Sequence, residues 1–517
     1  MNFLLTYLRD PIDALLNRIT MYRLVLYYLM LLVVAAAIAC FFNLLPYSAV
    51  NLLLSTLFLL VACWGLNTLF ARAFNAPTNV ESVYITALIL SLIVAPVSFT
   101  TGGGTLVEGA FFLFWLSVLA MGSKFVIAVH KKHILNPAAF AIVLASFVLG
   151  HSANWWVGGN LVLMPLVLVG GLLIVRKIQR FDLVLAYTLA TLSTIVITFL
   201  PQSPLVSIEK ALLHSPIIFL ACIMLTEPLT TPPTRRMRIV NGVIVGILFA
   251  PAVHIGSLYF TPELALLVGN VFAYIVSPKV RVMLTLLKKE QIALGVYNFI
   301  FKSDQKLTFA PGQYLEWTLP HDKPDTRGNR RYFTIASSPT EKEIHLGVKV
   351  YEPASSFKKG LLALTEGKQI TASQVAGEFV LPQDATKKLV FIAGGIGITP
   401  FRSITQYLLD TKDTRSVVLL YSNKVAREVA YKDVFDRAED TLDFRAVYAL
   451  TNEPTPIPGT HNGMIDVELI KQEVPDYLER VFYISGPHGM VVAFEKTLSD
   501  LGTPSSQIKV DFFPGFV

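Results

Sequence analysis

Two glycine-bearing turns and one helix start in the last third of the chain have the residue types that hold phosphates. In LVFIAGGIGITPFRSI, 389–404, Gly394, Gly395, Gly397, Thr399 and Pro400 stand between an apolar strand pattern and a helix. Glycines at such a turn let backbone N–H groups approach a pyrophosphate closely. In SSFKKGLLALTEG, Ser355 and Ser356 open a helix with Phe357 and Lys358 in its first turn. A helix N-terminus offers free donors and a positive dipole end, which suits a diphosphate; ordinary capping by the serines is the alternative. The strand end YSNK, 421–424, has no acidic residue to accept ribose hydroxyls. Ser422, Lys424, Arg427 and Tyr431 are candidates for a 2′-phosphate, with Lys424 and Arg427 equally readable as solvated surface charges.

Four ordered motifs over residues 290–517 resemble the ferredoxin–NADP⁺ reductase superfamily. RRYFTIASSP, 330–339, is similar to its R-x-[YF]-[ST] flavin motif. The resemblance implies that Arg331 neutralises the FAD pyrophosphate, that Tyr332 and Phe333 belong to the flavin site with Phe333 against the isoalloxazine ring, and that Thr334 hydrogen-bonds near flavin N5. It assigns the serine helix start to FAD and the glycine turn to the NAD(P) site. FYISGPHGMV, 482–491, resembles the C-G-P-x-x-M element, with Ser485 where a Cys usually stands beside nicotinamide C4, followed by Gly486, Pro487 and Met490. Thr334 and Ser485 are therefore the catalytic candidates. Phe516 is a candidate cover for the flavin, or simple edge packing. The implied cofactors are FAD and NADPH or NADH, with a slight leaning to NADPH.

The elements that must position these residues follow from periodicity. Short alternating runs at 291–302, 307–319, 332–336, 344–351, 369–374 and 378–381 predict a small antiparallel β-barrel. Strand–helix alternation over 387–517 predicts a parallel doubly wound sheet. Everything before these runs is apolar. A helix needs about 20 apolar residues to cross a ~30 Å hydrocarbon core, and ten segments are candidates: 24–45, 49–70, 82–97, 108–129, 136–150, 159–175, 183–200, 213–226, 239–257 and 263–284. With an internal N-terminus, sixteen Lys and Arg fall on inner segments and only Lys210 on an outer loop. That bias places both termini on the cytoplasmic side. Residues 1–20 read as an interfacial amphipathic helix without a cleavage site. Trp155 and Trp156 read as an aromatic belt, and Gly242 with Gly246 as a close helix crossing.

Three polar, proline-bearing interruptions, 75–86, 133–141 and 225–236, fall on the predicted inner side. Asn79, Asn136 and Thr226 are read either as helix caps or as parts of a polar cofactor site, since irregular backbone at membrane depth needs protein, water or a ligand to satisfy it. The runs N-P-A-A-F and T-E-P-x-T-x-P resemble the membrane subunit shared by the sodium-translocating NADH:quinone oxidoreductase and the Rnf complex, the NqrB/RnfD family, over roughly residues 20–287. That resemblance implies a flavin in or beside the bundle. The chain lacks the [ST]-G-A-[ST] sequence to which that family attaches FMN. The expectation is therefore a noncovalent FMN or riboflavin near Asn136, Pro137, Thr226, Glu227 and Thr230.

Composition bounds the rest. The net charge of +7 comes from the apolar half, so inner-surface basic residues account for it and no nucleic-acid partner is expected. The three cysteines, Cys40, Cys63 and Cys222, lie in apolar runs and exclude a four-cysteine iron–sulfur cluster. The membrane-half histidines lack a bis-histidine pairing, so no haem is expected. The reading is a multi-domain membrane protein: an all-α transmembrane bundle of about ten helices over 1–289, an antiparallel β-barrel FAD domain over 290–385, and an α/β doubly wound NAD(P) domain over 386–517. It belongs in a bacterial cytoplasmic membrane as a multi-pass protein with the N-terminus and reductase in the cytoplasm. Its partners are the lipid membrane, NAD(P)H, and a quinone or extracytoplasmic electron acceptor. NAD(P)H would reduce FAD, and electrons would continue to a membrane flavin. A quinone reductase using the helices as anchor, and a redox-gated transporter, are the alternatives.

Overall fold

The computed structural model describes Leu16 and residues 19–74, 80–99, 103–129, 132–200, 202–277, 281–321, 325 and 329–511. The chain divides into two units at Ser277/Pro278.

The first unit is helical: α1 (Met21–Phe41), α2 (Ala49–Ala73), α3 (Val80–Ile93), α4 (Gly103–Val126), α5 (Pro137–Leu149), α6 (Met164–Ile178), α7 (Phe181–Thr198), α8 (Pro204–His214), α9 (Ile217–Met224), α10 (Arg235–Phe249) and α11 (Pro262–Val276). Each of the ten expected segments holds helix, but the expectation of ten spans is corrected. Among the described residues four helices, α1, α2, α4 and α7, are long and apolar enough to cross a membrane, or five if the pair α8 and α9, bent by 64°, is one span. Length is the reason. The fourteen residues of α3 rise about 21 Å at 1.5 Å per residue, short of a ~30 Å core. Prolines set the shortness elsewhere, because Pro is tolerated in the first turn and breaks an interior. Pro137 and Pro262 start α5 and α11, and Pro216 precedes the bend into α9.

Small residues govern close crossings. A Cβ on Gly242 would lie 2.7 Å from the Leu183 carbonyl oxygen, and one on Gly246 2.5 Å from that of Tyr187, so α10 and α7 pack backbone to backbone as the G-x-x-x-G spacing predicts. Trp155 and Trp156 do not form a belt. Both are buried, and their indole N–H groups donate to Glu263 Oε2 and the Val94 carbonyl, each at 3.0 Å.

The second unit begins earlier than the expected boundary at 290. The run 263–284 is not one helix: α11 ends at Val276, and β1 (Arg281–Ala293) follows, so Lys288 and Lys289 are strand residues. The alternation from Arg281 to Leu286, with Val282, Leu284 and Leu286 buried, is a period of two, hidden at the sequence level by the apolar run before it. β1 pairs antiparallel with β2 (Val296–Ser303) across Gly295, whose φ is +69°. With β3 (Tyr314–Thr318), β4 (Arg330–Thr334), β5 (Ile344–Lys349) and β6 (Gln369–Ala376) the order is β4-β3-β6-β1-β2-β5. The edge strands β4 and β5 do not share a ladder, so this is an open half-barrel sheet and not a closed barrel. The expected strand at 378–381 is absent from the ladders. The sheet and helix α12 (Ser356–Ala363) enclose Trp317, Phe299, Phe301 and Phe357.

The other sheet is parallel: β7 (Leu389–Gly394), β8 (Val417–Asn423), β9 (Phe444–Leu450), β10 (Thr460–Asn462), β11 (Val481–Ser485) and β12 (Ile508–Val510) in the order β10-β9-β8-β7-β11-β12. Helices α13 (Thr399–Thr411), α14 (Lys432–Thr441), α15 (Val467–Glu473) and α16 (His488–Asp500) connect the strands. Clusters on both faces bury β7 completely, which is why LVFIA, VVLLY and VFYIS read as continuous apolar runs. Chain order reverses between β7 and β11. Ligands of doubly wound sheets bind at the carboxyl ends of the strands flanking such a reversal.

Candidate functional site

Both the glycine turn and the S-G-P turn sit at that reversal. Ala393 of β7 pairs in register with Ser485 of β11, so the two turns leave the sheet side by side. A Cβ on Gly397 would meet the Ser485 carbonyl oxygen at 2.4 Å, and one on Gly394 the Met490 Sδ at 2.4 Å. A Cβ on Gly486 would meet Met490 Cε at 2.6 Å. Gly395 has φ +52°, a conformation costly for side chains other than glycine. These glycines thus serve the contact between turns as well as any ligand. Thr399, buried, donates to the Ile396 carbonyl at 3.3 Å, and Pro400 occupies the first turn of α13.

Ser485 is buried, and its hydroxyl donates to Asp511 Oδ2 at 3.0 Å. Asp511 N–H bonds the Ile484 carbonyl at 3.0 Å, which fixes the carboxylate beside β11. Burial pushes the Asp511 carboxyl up to about 7. Sequence reasoning missed Asp511, because only the β11–β12 ladder brings it to Ser485. Phe516 lies outside the described residues.

Arg331, 5% exposed, comes from β4. Its Nη2 lies 2.8 and 3.0 Å from the two Asp325 oxygens, and its guanidinium lies 5.3 Å from the centre of the Phe357 ring. Asp325 N–H donates to Ser356 Oγ at 2.9 Å, and His321 Nε2 lies 3.1 Å from the same oxygen. Ser355 caps α12 by accepting from the Lys358 N–H at 3.4 Å. The Lys358 ammonium donates to the Lys349 carbonyl at 2.7 Å. An anion-binding guanidinium and a capped helix start therefore meet around Asp325, whose carboxylate marks where anionic oxygens are accepted. That donor set fits the diphosphate of FAD. Phe357 is fully buried and supports Arg331. Phe333 packs 5.8 Å from Phe357, Thr334 is buried opposite Tyr314, and the Tyr332 hydroxyl lies 3.0 Å from Glu316 Oε2.

The sheets of the second unit are joined next to this motif. Arg402 Nη1 donates to the Ala336 carbonyl at 3.1 Å, Arg402 Nη2 to Glu341 Oε1 at 2.8 Å, and Ser403 Oγ to the Ser337 carbonyl at 2.6 Å. The residues after P-F in the glycine-turn motif thus hold the residues after T-I in the flavin motif. The 2′-phosphate candidates separate. Ser422 lies near the end of β8, half-buried, and Lys424 just after it, exposed. Tyr431 is corrected: it is buried, and its hydroxyl bonds Asn298 Oδ1 at 3.2 Å.

In the helical unit, Asn136, Thr226, Glu227 and Thr230 come together, although Asn136 and Glu227 are 91 positions apart in sequence. Glu227 Oε1 lies 3.0 Å from His133 Nε2, and Glu227 Oε2 accepts from Asn136 Nδ2 at 2.9 Å and Thr230 Oγ1 at 3.3 Å. Asn136 also caps α5, accepting from the Ala139 N–H at 3.1 Å, so capping and clustering coexist in one side chain. Asn270 Oδ1 accepts from the Asn136 N–H at 2.8 Å. Thr226 turns back to the Cys222 carbonyl at 2.8 Å, where Leu220–Met224 is π-helical. Asn136, Pro137, Thr226 and Glu227 line a small cavity together with residues such as Ile85, Ile89, Ile174 and Ile223. His133 and Asn270 were missed; H-I-L-N-P spacing alone does not reveal a pair to a glutamate 94 residues away. Among the described residues no His, Cys, Asp and Glu group could hold a metal ion.

Residues 391–496 match the family model of the oxidoreductase NAD-binding domain. The chain is 24% identical over 237 residues to a flavohemoprotein of Oceanobacillus iheyensis, covering 44% of this chain and 57% of that protein. It is 30% identical over 202 residues to one component of the Na(+)-translocating NADH-quinone reductase of Histophilus somni, covering 36% of this chain and 49% of that protein. The chain spans about half the length of the curated relatives it matches. Among solved structures, the flavohemoglobin of Malassezia yamatoensis with bound FAD and heme matches at 18% identity and TM-score 0.43, over 68% of this chain and 98% of that one. The second unit is thus a reductase-type module with an oxidoreductase NAD-binding domain over residues 391–496. The expectation of no haem is corrected: flavohemoproteins recur among the relatives. The lack of a bis-histidine pair excludes only one mode of ligation, whereas haem iron is also held by a single protein ligand.

Proposed function

We propose that this chain is a membrane-bound NAD(P)H-dependent flavin oxidoreductase that passes electrons from NAD(P)H through FAD to a redox-active ring in the helical unit, and on to a quinone or an extracytoplasmic acceptor. The observation that carries the reading is the contact between the glycine turn and the Ser485–Met490 turn at the strand-order reversal, beside the Arg331 motif tied in by Arg402 and Ser403. Bound FAD supplies the conversion of a two-electron hydride into single electrons. Arg331 and the start of α12 hold diphosphate charge. Gly394, Gly395 and Gly397 let backbone donors approach the dinucleotide. Ser485, fixed by Asp511, orients the nicotinamide edge. Lys424 and Ser422 receive the 2′-phosphate, which favours NADPH.

For the helical unit, the Asn136–Glu227 cluster beside an apolar cavity supports a ring with a polar edge and an apolar body. This agrees with the NqrB/RnfD-like runs and with the four spans of sufficient length, which together support residence in a membrane with the reductase on the cytoplasmic side. The test is a cofactor inventory of detergent-purified protein by absorption and acid extraction, followed by NAD(P)H oxidation in sealed vesicles with an impermeant acceptor on the far side. FAD with a second redox ring, and reduction of that acceptor, is the expected result. FAD alone, with no reduction across the vesicle, overturns the relay.

A further inference from the structure

The fold brings to the end of β8 an acid that stands far from it in the sequence. Gly394 of β7 pairs in register with Ser422 of β8, so this strand end lies beside the glycine turn. In doubly wound sheets with a diphosphate on that turn, an acid nearby accepts the ribose 2′-hydroxyl. YSNK itself has none, but the loop after β9 supplies one. Thr451 N–H donates to the Asn423 carbonyl at 3.0 Å, and Asn452 N–H to the Lys424 carbonyl at 2.8 Å. These bonds carry the β8–β9 pairing beyond the strands and bring Glu453 against the turn Ala426–Glu428. Glu453, half-buried, accepts from the Ala426 N–H at 2.6 Å through Oε2. Its Oε1 has no hydrogen-bond partner among the described residues. Glu428 is occupied by Lys349 at 3.0 Å. Lys424 and Arg427 are exposed, and among the described residues no carboxylate lies within ion-pair distance of either. One strand end thus carries an open acceptor and two unpaired cations. A carboxylate accepts from a 2′-hydroxyl and repels a 2′-phosphate, and a cation does the reverse.

We infer that Glu453 is a specificity-determining residue that admits NADH, its Oε1 accepting the adenosine ribose 2′-hydroxyl in opposition to Lys424, which draws the 2′-phosphate of NADPH. This assignment deepens the proposed function and rests on the dinucleotide lying on the glycine turn. The chain then oxidises both nucleotides, with a preference set by the balance of the two side chains. The 2′ position is remote from the hydride, so the balance acts on KM.

The test is steady-state ferricyanide reduction by the full-length, detergent-purified chain saturated with FAD, with NADH and with NADPH. Glu453→Gln keeps an acceptor for the Ala426 N–H and removes the charge. It should raise the ratio of kcat/KM for NADPH over NADH about tenfold, through KM. Lys424→Gln should move the ratio the other way. Equal losses with both nucleotides in Glu453→Gln would make Glu453 a cap of the turn and nothing more, and overturn the assignment. An unmoved ratio, or an unmodified chain that does not oxidise NADH, overturns it as well. An unmoved ratio in Lys424→Gln overturns the opposing role of Lys424. The siting on the glycine turn fails separately, if Gly397→Ala leaves the rates with both nucleotides unchanged.

Discussion

Gly397 stands so close to Ser485 that a Cβ there would lie 2.4 Å from the Ser485 carbonyl oxygen and 2.5 Å from its carbon. Both contacts are backbone, so no side-chain rotation relieves them. Gly397→Ala must separate the glycine turn from the S-G-P turn. The expected outcome is an NAD(P)H reductase rate with ferricyanide lowered at least tenfold, with FAD content retained. Rates like those of the unmodified chain would show that the turns part freely.

Asp511 and Ser485 make a pH-dependent pair. The Asp511 carboxyl is raised from its ordinary value to about 7 by burial. A raised acid in the folded state binds its proton more tightly than in the unfolded chain. Its penalty is therefore absent below about 4, grows as pH climbs to about 7, and is complete above that. Asp511→Asn removes the penalty. Its melting temperature relative to the unmodified chain should rise between mildly acidic and mildly alkaline buffer, as read by calorimetry. A difference that does not vary with pH would mean that Asp511 does not titrate in this range.

Arg331 is held by both Asp325 oxygens and lies over Phe357. A lysine supplies the charge but neither the planar fork nor the stacking. Arg331→Lys should lower FAD affinity about thirtyfold or more, in line with the ~2–5 kcal/mol cost of cutting a buried hydrogen-bonded charge pair. The flavin retained on gel filtration measures this. Full retention would remove Arg331 from the diphosphate site.

Glu227 gathers His133, Asn136 and Thr230. Glu227→Ala leaves His133 and Asn136 without this carboxylate partner in an apolar unit, a cost of about 1–3 kcal/mol for each. The detergent-solubilised variant should melt several degrees lower and lose the second redox ring proposed for the helical unit, while its NAD(P)H–ferricyanide activity is unchanged. Loss of the ring without loss of stability would separate ligand binding from packing.

The motifs proposed for the reductase site were legible because each is local. A glycine turn between an apolar strand and a helix, a serine helix start, and an arginine in an aromatic strand each declare themselves within a few residues. Their order along the chain is also visible. The first strand of the second unit was not legible, since its period of two is drowned by the hydrophobic helix that precedes it. The number of spans was overestimated, because hydropathy counts apolar residues while proline placement sets where a helix starts and breaks.

By itself the sequence determined the division into an apolar helical part and a reductase part, the glycine and serine turns, and the polar, proline-bearing interruptions around Asn136 and Thr226. It did so because backbone propensity, glycine and proline geometry and hydrophobic period act over short stretches. Only the tertiary structure decided the partners: Asp325 for Arg331, Asp511 for Ser485, His133 and Asn270 for the Asn136–Glu227 pair, Asn298 for Tyr431, and Ala426 for Glu453. Each of these contacts joins residues from separate elements. Strand order and helix crossing, which no local pattern encodes, bring them within hydrogen-bonding distance.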